Sequence, residues 1–77
     1  MNFMTHLFLK GLNVSHNRIV SLRHLANLVN LRDLNCRDNL VESVEGIPME
    51  SLVSLDISNN PVTDIDQLDD VDFKVTF

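Results

Sequence analysis

The sequence predicts a small solenoid, in which successive coils of the chain stack and share one hydrophobic core. Three observations predict it. The chain repeats itself after 22 and then 21 residues, each repeat combines two hydrophobic periods, and an asparagine stands at the same phase in every repeat. With 77 residues, of which 44% are hydrophobic, the chain has room for one small domain.

Each repeat opens with the same frame, L-x-x-L-x-a-x-x-N-x-b, where x is any residue, a is apolar and b is β-branched. The frame begins at Leu9, Leu31 and Leu52. Further apolar residues follow at every third place, namely Leu22, Leu25, Leu28, Val44, Ile47, Ile65, Leu68 and Val71. The pattern divides the chain into repeats 9–30, 31–51 and 52–72, with an N-terminal cap at 1–8 and a terminal strand or cap at 73–77.

The two periods predict different backbone conformations. Leu12 and Val14 alternate with polar neighbours, which predicts a short strand with one buried face, and the pairs Leu34/Cys36 and Leu55/Ile57 repeat this pattern. The period of three that follows fits a 3₁₀ turn, where every third side chain faces the same way. We expect strand, tight turn and 3₁₀-like or extended return in each repeat. The strands should pair in parallel, because every repeat re-enters in the same direction.

Asn17, Asn39 and Asn60 stand at the same phase, just after each strand. A side-chain amide carries both donors and an acceptor, so it can bond the backbone of its own turn and of the next coil. We expect an asparagine ladder, with three ordinary turn asparagines as the alternative.

These residues resemble leucine-rich repeats, specifically the short class with a period near 22 residues. The resemblance covers residues 9–71, and LDISNNPVTDI is its most typical segment. The repeats are similar to those of regulatory subunits of type-1 protein phosphatase, of the outer-arm dynein light chain and of internalins. The resemblance implies an α/β-type solenoid: a right-handed coil with a parallel sheet on the concave side and 3₁₀ or irregular returns on the convex side. It also implies protein binding without catalysis.

The outward positions of the strands form the candidate binding site. They carry short polar or charged side chains that a rigid sheet would hold in place, which favours binding. The candidates are Lys10, Asn13, Ser15, His16, Arg32, Asp33, Asn35, Arg37, Asp38, Asp56 and Ser58. Arg37 is the preferred anchor because arginine is enriched at binding hot spots. The alternative is a solvated sheet face without a partner.

Both ends of the predicted stack need a cover. All four phenylalanines, Phe3, Phe8, Phe73 and Phe77, lie near the termini, where they can act as caps, or one end can stay exposed and dock on another chain. Residues 1–37 carry five basic residues against one acidic, and residues 38–77 carry ten acidic residues against Lys74. This opposition allows end-to-end self-association.

Other classes of function have little support. The basic residues are scattered and lack aromatic neighbours, which argues against a nucleic-acid site, and no apolar stretch is long enough to span a membrane. His6, His16 and His24 lack metal-ligand spacing, and Cys36 falls at a core position, so we expect no catalytic residue, metal or cofactor. A single cysteine and the lack of a secretory signal favour an intracellular, cytoplasmic or nuclear protein.

The sequence thus predicts a non-catalytic module that binds a protein partner through its concave sheet. The alternative is a structural subunit of a larger assembly, such as a cytoskeletal, ciliary or phosphatase-type complex, docked by its ends.

Overall fold

The computed structural model describes residues 8–77, which form one four-stranded parallel sheet. The strands lie side by side in chain order, which confirms the predicted parallel pairing. They are β1 (Gly11–Asn13), β2 (Asp33–Asn35), β3 (Ser54–Asp56) and β4 (Lys74–Thr76). The 3₁₀-helices η1 (Arg23–Asn27) and η2 (Ile65–Leu68) follow β1 and β3, and the described range contains no α-helix. The expected positions of Phe3 and of most of the cap at 1–8 lie outside this range.

We call residues 9–30, 31–51 and 52–72 coils 1, 2 and 3. Each holds one strand and the return segment that follows it, and β4 comes after coil 3. The return of coil 2 contains turns where the other two coils have a 3₁₀-helix, so the expected 3₁₀-like return occurs in coils 1 and 3.

The centre of each strand points one apolar side chain into the core. Leu12, Leu34, Leu55 and Val75 pair in register across the four strands. Leu34 and Leu55 are only 2% and 1% exposed, whereas Leu12 and Val75, at the two ends, are half-buried. Within residues 8–77, the core is therefore closed in the middle of the stack and less covered towards both of its ends.

The apolar positions of the returns complete the core. Leu22 in coil 1 and Val44 in coil 2 occupy the same slot and are fully buried. Ile65 fills this slot in coil 3 but is 46% exposed, which differs from the inward position that the repeat predicts. Coils 1 and 2 are each followed by another coil that covers the slot, and the described residues include no return segment after coil 3.

Candidate functional site

A shallow depression of about 480 Å³ lies over the outward side of the sheet. It is lined by all four strands, through Gly11, Leu12, Asn13, Asp33, Leu34, Asn35, Ser54, Leu55, Asp56, Lys74 and Thr76. We call this surface, together with the outward residues that flank the strands, the sheet face. Most of the candidate site residues lie on it, because the side chains of a strand alternate between the two faces of a sheet.

A column of polar side chains crosses the middle of the sheet face. Asn13, Asn35, Asp56 and Thr76 pair in register on β1 to β4. In the first three, Oδ1 accepts the backbone N–H two residues later, from Ser15 at 3.0 Å, Arg37 at 3.0 Å and Ser58 at 2.9 Å. Such a bond closes an Asx turn and fixes the side chain.

The Asx turns leave one polar atom of each side chain available. Within the described part of the chain, Nδ2 of Asn13, Nδ2 of Asn35 and Oδ2 of Asp56 have no hydrogen-bond partner. Because neighbouring strands lie about 4.8 Å apart, these two donors and one acceptor form a row across the depression. The row presents defined hydrogen-bonding groups to a molecule that lies on the sheet.

Asp56 brings a fixed negative charge to this row. Its partial burial alone would raise the carboxyl pKa, but hydrogen bonds from the Ser58 hydroxyl and N–H, together with the charge of Arg37, hold the pKa below its ordinary value. The Ser58 hydroxyl donates to Oδ1 at 2.6 Å. The sequence predicts that Ser58 points outward, but it is only 7% exposed. Its side chain supports Asp56 instead of facing a partner.

Charged groups line the edge where the strands end. His16, Asp38 and Asn59 stand at the same phase of the three coils and share a left-handed backbone, with φ of 60°, 58° and 57°. Asp38 lies between the other two: its Oδ2 is 2.8 Å from Nδ1 of His16, and its Oδ1 accepts from Nδ2 of Asn59 at 2.7 Å. Arg37 is half-exposed beside this group, with Nε 3.7 Å from Oδ2 of Asp38.

The remaining candidates flank the strand starts. Lys10 and Arg32 are exposed and line a smaller depression of about 350 Å³ together with Phe8 and Val29. Asp33 accepts a hydrogen bond from the Ser54 hydroxyl at 2.7 Å, across the β2–β3 pair. The sheet face therefore carries both signs of charge.

Two contributors were missed at the sequence level, Lys74 and Thr76 on β4. The signal was present, because Phe73, Val75 and Phe77 alternate with them and predict a final strand. The same alternation places Lys74 and Thr76 on the outward side of that strand.

Asn39 and Asn60 connect adjacent coils below the sheet face. Oδ1 of Asn39 accepts from the Ile19 N–H at 3.0 Å, and its Nδ2 donates to the carbonyls of Val14 and Cys36 at 3.0 and 2.9 Å. Asn60 makes the same set of bonds one coil further on. Each amide bonds its own turn and the preceding coil, whereas the sequence suggested the next one.

Asn17 has the same phase but bonds only within its own turn. Its Nδ2 donates to the carbonyls of Val14 and Ser15, at 2.8 and 3.1 Å. No coil precedes coil 1 among the described residues, which is why its amide oxygen lacks the inter-coil bond made by Asn39.

The one cysteine of the chain, Cys36, lies in the hydrophobic core. Burial, with a smaller effect of the Asp56 charge, raises the pKa of the fully buried Cys36 thiol to about 12, which keeps it protonated at neutral pH. Residues 8–77 contain no cluster of His, Cys, Asp or Glu that could hold a metal ion, and His6 lies outside that range. In the same range, no helix is long and apolar enough to cross a membrane.

Comparison with known families agrees with the repeat structure. The family model described as "Leucine Rich repeats (2 copies)" matches residues 8–49 and again residues 29–70. No curated protein and no solved structure matches the chain, so the similarity to phosphatase regulatory subunits, the dynein light chain and internalins stays a prediction. The two overlapping matches cover most of the chain, including β1, β2 and β3, and the chain belongs to the leucine-rich repeat family.

Proposed function

We propose that this chain is a non-catalytic protein interaction module that binds a protein partner through its sheet face. Leucine-rich repeats are commonly modules of this kind. The observation that carries the proposal is the row of free polar atoms on Asn13, Asn35 and Asp56, which lies in a depression spanning all four strands. We further propose that the strands form the concave side of a right-handed coil.

The sheet face suits binding because its side chains are already ordered. Binding costs free energy for every flexible side chain that becomes immobile, about 0.5–1.5 kcal/mol for a rotamer-rich one. The Asx turns of Asn13, Asn35 and Asp56 remove most of that cost in advance. The expected partner segment supplies acceptors for the two amides and a donor for the carboxylate.

Arg37 is the proposed anchor of the contact. It is half-exposed, its backbone N–H donates to Asn35, and its guanidinium Nε lies 3.7 Å from Oδ2 of Asp38. Its guanidinium offers several donors to a partner, and arginine is enriched at binding hot spots.

The mixed charge of the sheet face favours a protein over a nucleic acid. Lys10, Arg32 and Arg37 are interrupted by Asp33 and Asp56, so the positive charges do not form a continuous stripe that could follow a phosphate backbone. The free thiol of Cys36 supports a reducing, intracellular location for the complex.

The test combines partner identification with a matched pair of variants. Cross-linking and mass spectrometry from the native source would identify the partner, and titration calorimetry would compare Arg37→Ala with Arg18→Ala. Both changes remove one exposed arginine, but Arg18 lies in the loop after Asn17, away from the strands. We expect Arg37→Ala to weaken binding at least about tenfold and Arg18→Ala to leave it nearly unchanged. Equal affinities of the two variants would reject the sheet face as the main contact.

A second candidate function is a structural subunit that docks by its ends. It is favoured by the half-buried side chains of Leu12 and Val75 at the two ends of the core. In that case Arg37→Ala would leave binding intact, whereas changes at coil 1 or β4 would weaken it.

A further inference from the structure

The two ends of the stack both leave core positions partly uncovered. At four slots the coil 2 residue is fully or almost fully buried, whereas its coil 1 counterpart is only half-buried. The coil 1 residues are Leu9, Leu12, Val14 and Ile19, and their coil 2 counterparts are Leu31, Leu34, Cys36 and Val41. At the other end, Val75 is half-buried, and Ile65 and Phe77 are 46% and 65% exposed. Among residues 8–77, each end thus presents apolar surface that a further coil would cover.

The backbone at both edges of the sheet is also open. In β1, the Lys10 carbonyl and the Val14 N–H bond β2, so the intervening Gly11 and Asn13 point their backbone groups away from it. In β4, the Lys74 N–H and the Thr76 carbonyl bond coil 3, so Val75 points away. The described residues include no strand beyond β1 or β4, and such edges accept an added strand.

The two ends carry opposite charges. Residues 8–30 contain three basic residues and no acidic one, whereas residues 61–77 contain five aspartates and a single lysine. Lys10 and Arg18 have no ion-pair partner among the described residues, and Asp66 and Asp69 are exposed. A contact between two copies of the same end would place like charges together, which is unfavourable.

We propose that a second copy of this chain docks head to tail, so that its coil 1 covers β4 and coil 3 of the first copy. Lys74, Val75 and Thr76 would pair in parallel with Gly11, Leu12 and Asn13 of the second copy, which continues the register already present between β1 and β4. The contact uses the ends and does not rest on the function proposed for the sheet face. Because it joins two different surfaces, it repeats and produces linear arrays instead of a closed dimer.

Sedimentation of the full chain tests the proposal directly. From micromolar to near-millimolar protein at low salt, we expect the weight-average mass to rise beyond that of a dimer, and added salt to reduce it. A chain that stays monomeric over this range overturns the proposal. A species that stops at the dimer also overturns it, because it indicates a closed contact between identical ends.

Charge reversal separates the two ends. Asp66→Lys with Asp69→Lys should weaken self-association at least about tenfold, since it removes the net negative charge of the acidic end. The matched control is Glu42→Lys with Glu45→Lys, which changes the net charge equally on exposed residues of coil 2 and should have a much smaller effect. Equal losses in the two variants would attribute the association to net charge and reject the contact.

Mixing provides a rescue that only a head-to-tail contact predicts. Lys10→Glu with Arg18→Glu makes the basic end acidic, so this variant and the Asp66→Lys/Asp69→Lys variant should each be nearly monomeric alone. Mixed in equal amounts, they should form a one-to-one dimer, because the unchanged basic end of one variant meets the unchanged acidic end of the other. Circular dichroism of each variant checks that it folds, and folded variants that remain monomeric when mixed contradict the proposal.

Discussion

Asn39 and Asn17 occupy the same position in their repeats, but they should contribute differently to the stability of the fold. Asn39 is 4% exposed and bonds two coils, through an N–H of coil 1 and carbonyls of both coils. Asn17 is exposed and, among residues 8–77, bonds only its own turn. A buried polar group that loses its partner costs more free energy than an exposed one, because water cannot replace the bond.

We therefore predict that Asn39→Ala lowers the free energy of unfolding by about 2–3 kcal/mol. Asn17→Ala should lower it by less than about 1 kcal/mol, because solvent reaches the freed carbonyls. Urea unfolding followed by circular dichroism measures both values. Equal losses in the two variants would show that the inter-coil bonds of Asn39 contribute little.

The burial of single side chains near the strands follows from the sequence at some positions and not at others. The inward positions of Leu34, Cys36 and Leu55 follow from period-two alternation, and the structure buries all three. Ser58 departs from this pattern: Arg37, at the same phase of coil 2, is exposed, whereas Ser58 is only 7% exposed. Its hydroxyl turns to Asp56, a local bond that hydrophobic periodicity does not detect.

Among the elements, the return of coil 2 depends on the one glycine with a left-handed backbone. Gly46 has φ of +92° and packs on the start of η1 in coil 1. A Cβ atom there would lie 2.4 Å from Cα of Arg23 and 2.9 Å from its backbone N. This close approach holds the two return segments together, and any side chain would force them apart.

Gly46→Ala is accordingly expected to destabilise the fold by more than about 2 kcal/mol, through both the clash and the unfavourable φ. Gly11→Ala is the matched control, because a Cβ atom at Gly11 meets nothing within 4 Å. It should change stability by less than about 1 kcal/mol. Thermal unfolding of both variants tests this difference, and a Gly46→Ala protein as stable as Gly11→Ala would contradict the described packing.

The elements also differ in how far the sequence predicted them. The three strands and their parallel order follow from the repeated frame, because identical frames enter the stack in the same direction. The sequence left open whether each return is 3₁₀-like or extended, and only coils 1 and 3 form a 3₁₀-helix. The coil 2 segment around Gly46 and Pro48 contains turns instead, since glycine adopts the left-handed region and proline cannot donate a backbone hydrogen bond.

On the scale of the whole molecule, carboxylates that bond the backbone or a neighbouring coil link stability to pH. Oδ2 of Asp64 accepts from the Ser43 hydroxyl at 2.6 Å, and its Oδ1 accepts from the Val44 N–H at 3.0 Å, which joins coil 3 to coil 2. The Ser43 hydroxyl, helped by the Val44 N–H against the opposing effect of burial, lowers the pKa of Asp64 below its ordinary 3.8. A carboxyl group whose pKa is lower in the folded state stabilises that state at pH values above its unfolded-state pKa. This contribution is lost as the pH falls through the folded-state pKa.

We predict constant stability near neutral pH and a decline as the pH falls below the ordinary aspartate pKa of 3.8. Asp64→Asn removes one of the groups responsible, so its unfolding free energy should be lower at neutral pH but decline less steeply in acid. Urea unfolding between about pH 7 and about pH 2 measures both effects. An unchanged acid slope in Asp64→Asn would assign the dependence to other carboxylates, such as Asp56.

The open ends of the core could be anticipated only in part. The frame predicted stacked coils that need covers, but the phenylalanines placed near the ends did not reveal that Phe8 and Phe77 stay 71% and 65% exposed. A sequence pattern assigns a residue to a slot, whereas its burial also depends on whether a neighbour lies over that slot.

Contacts that reach only the adjacent coil make the architecture independent of its length. Asn39 bonds back to coil 1 and Asn60 bonds back to coil 2, in the same manner. An in-frame duplication of residues 31–51 would therefore encode a longer stack, and its new junction would have the same hydrogen bonds as the present junctions. Growth or loss of one such unit is an evolutionary step that this molecule can take without redesigning its remaining parts.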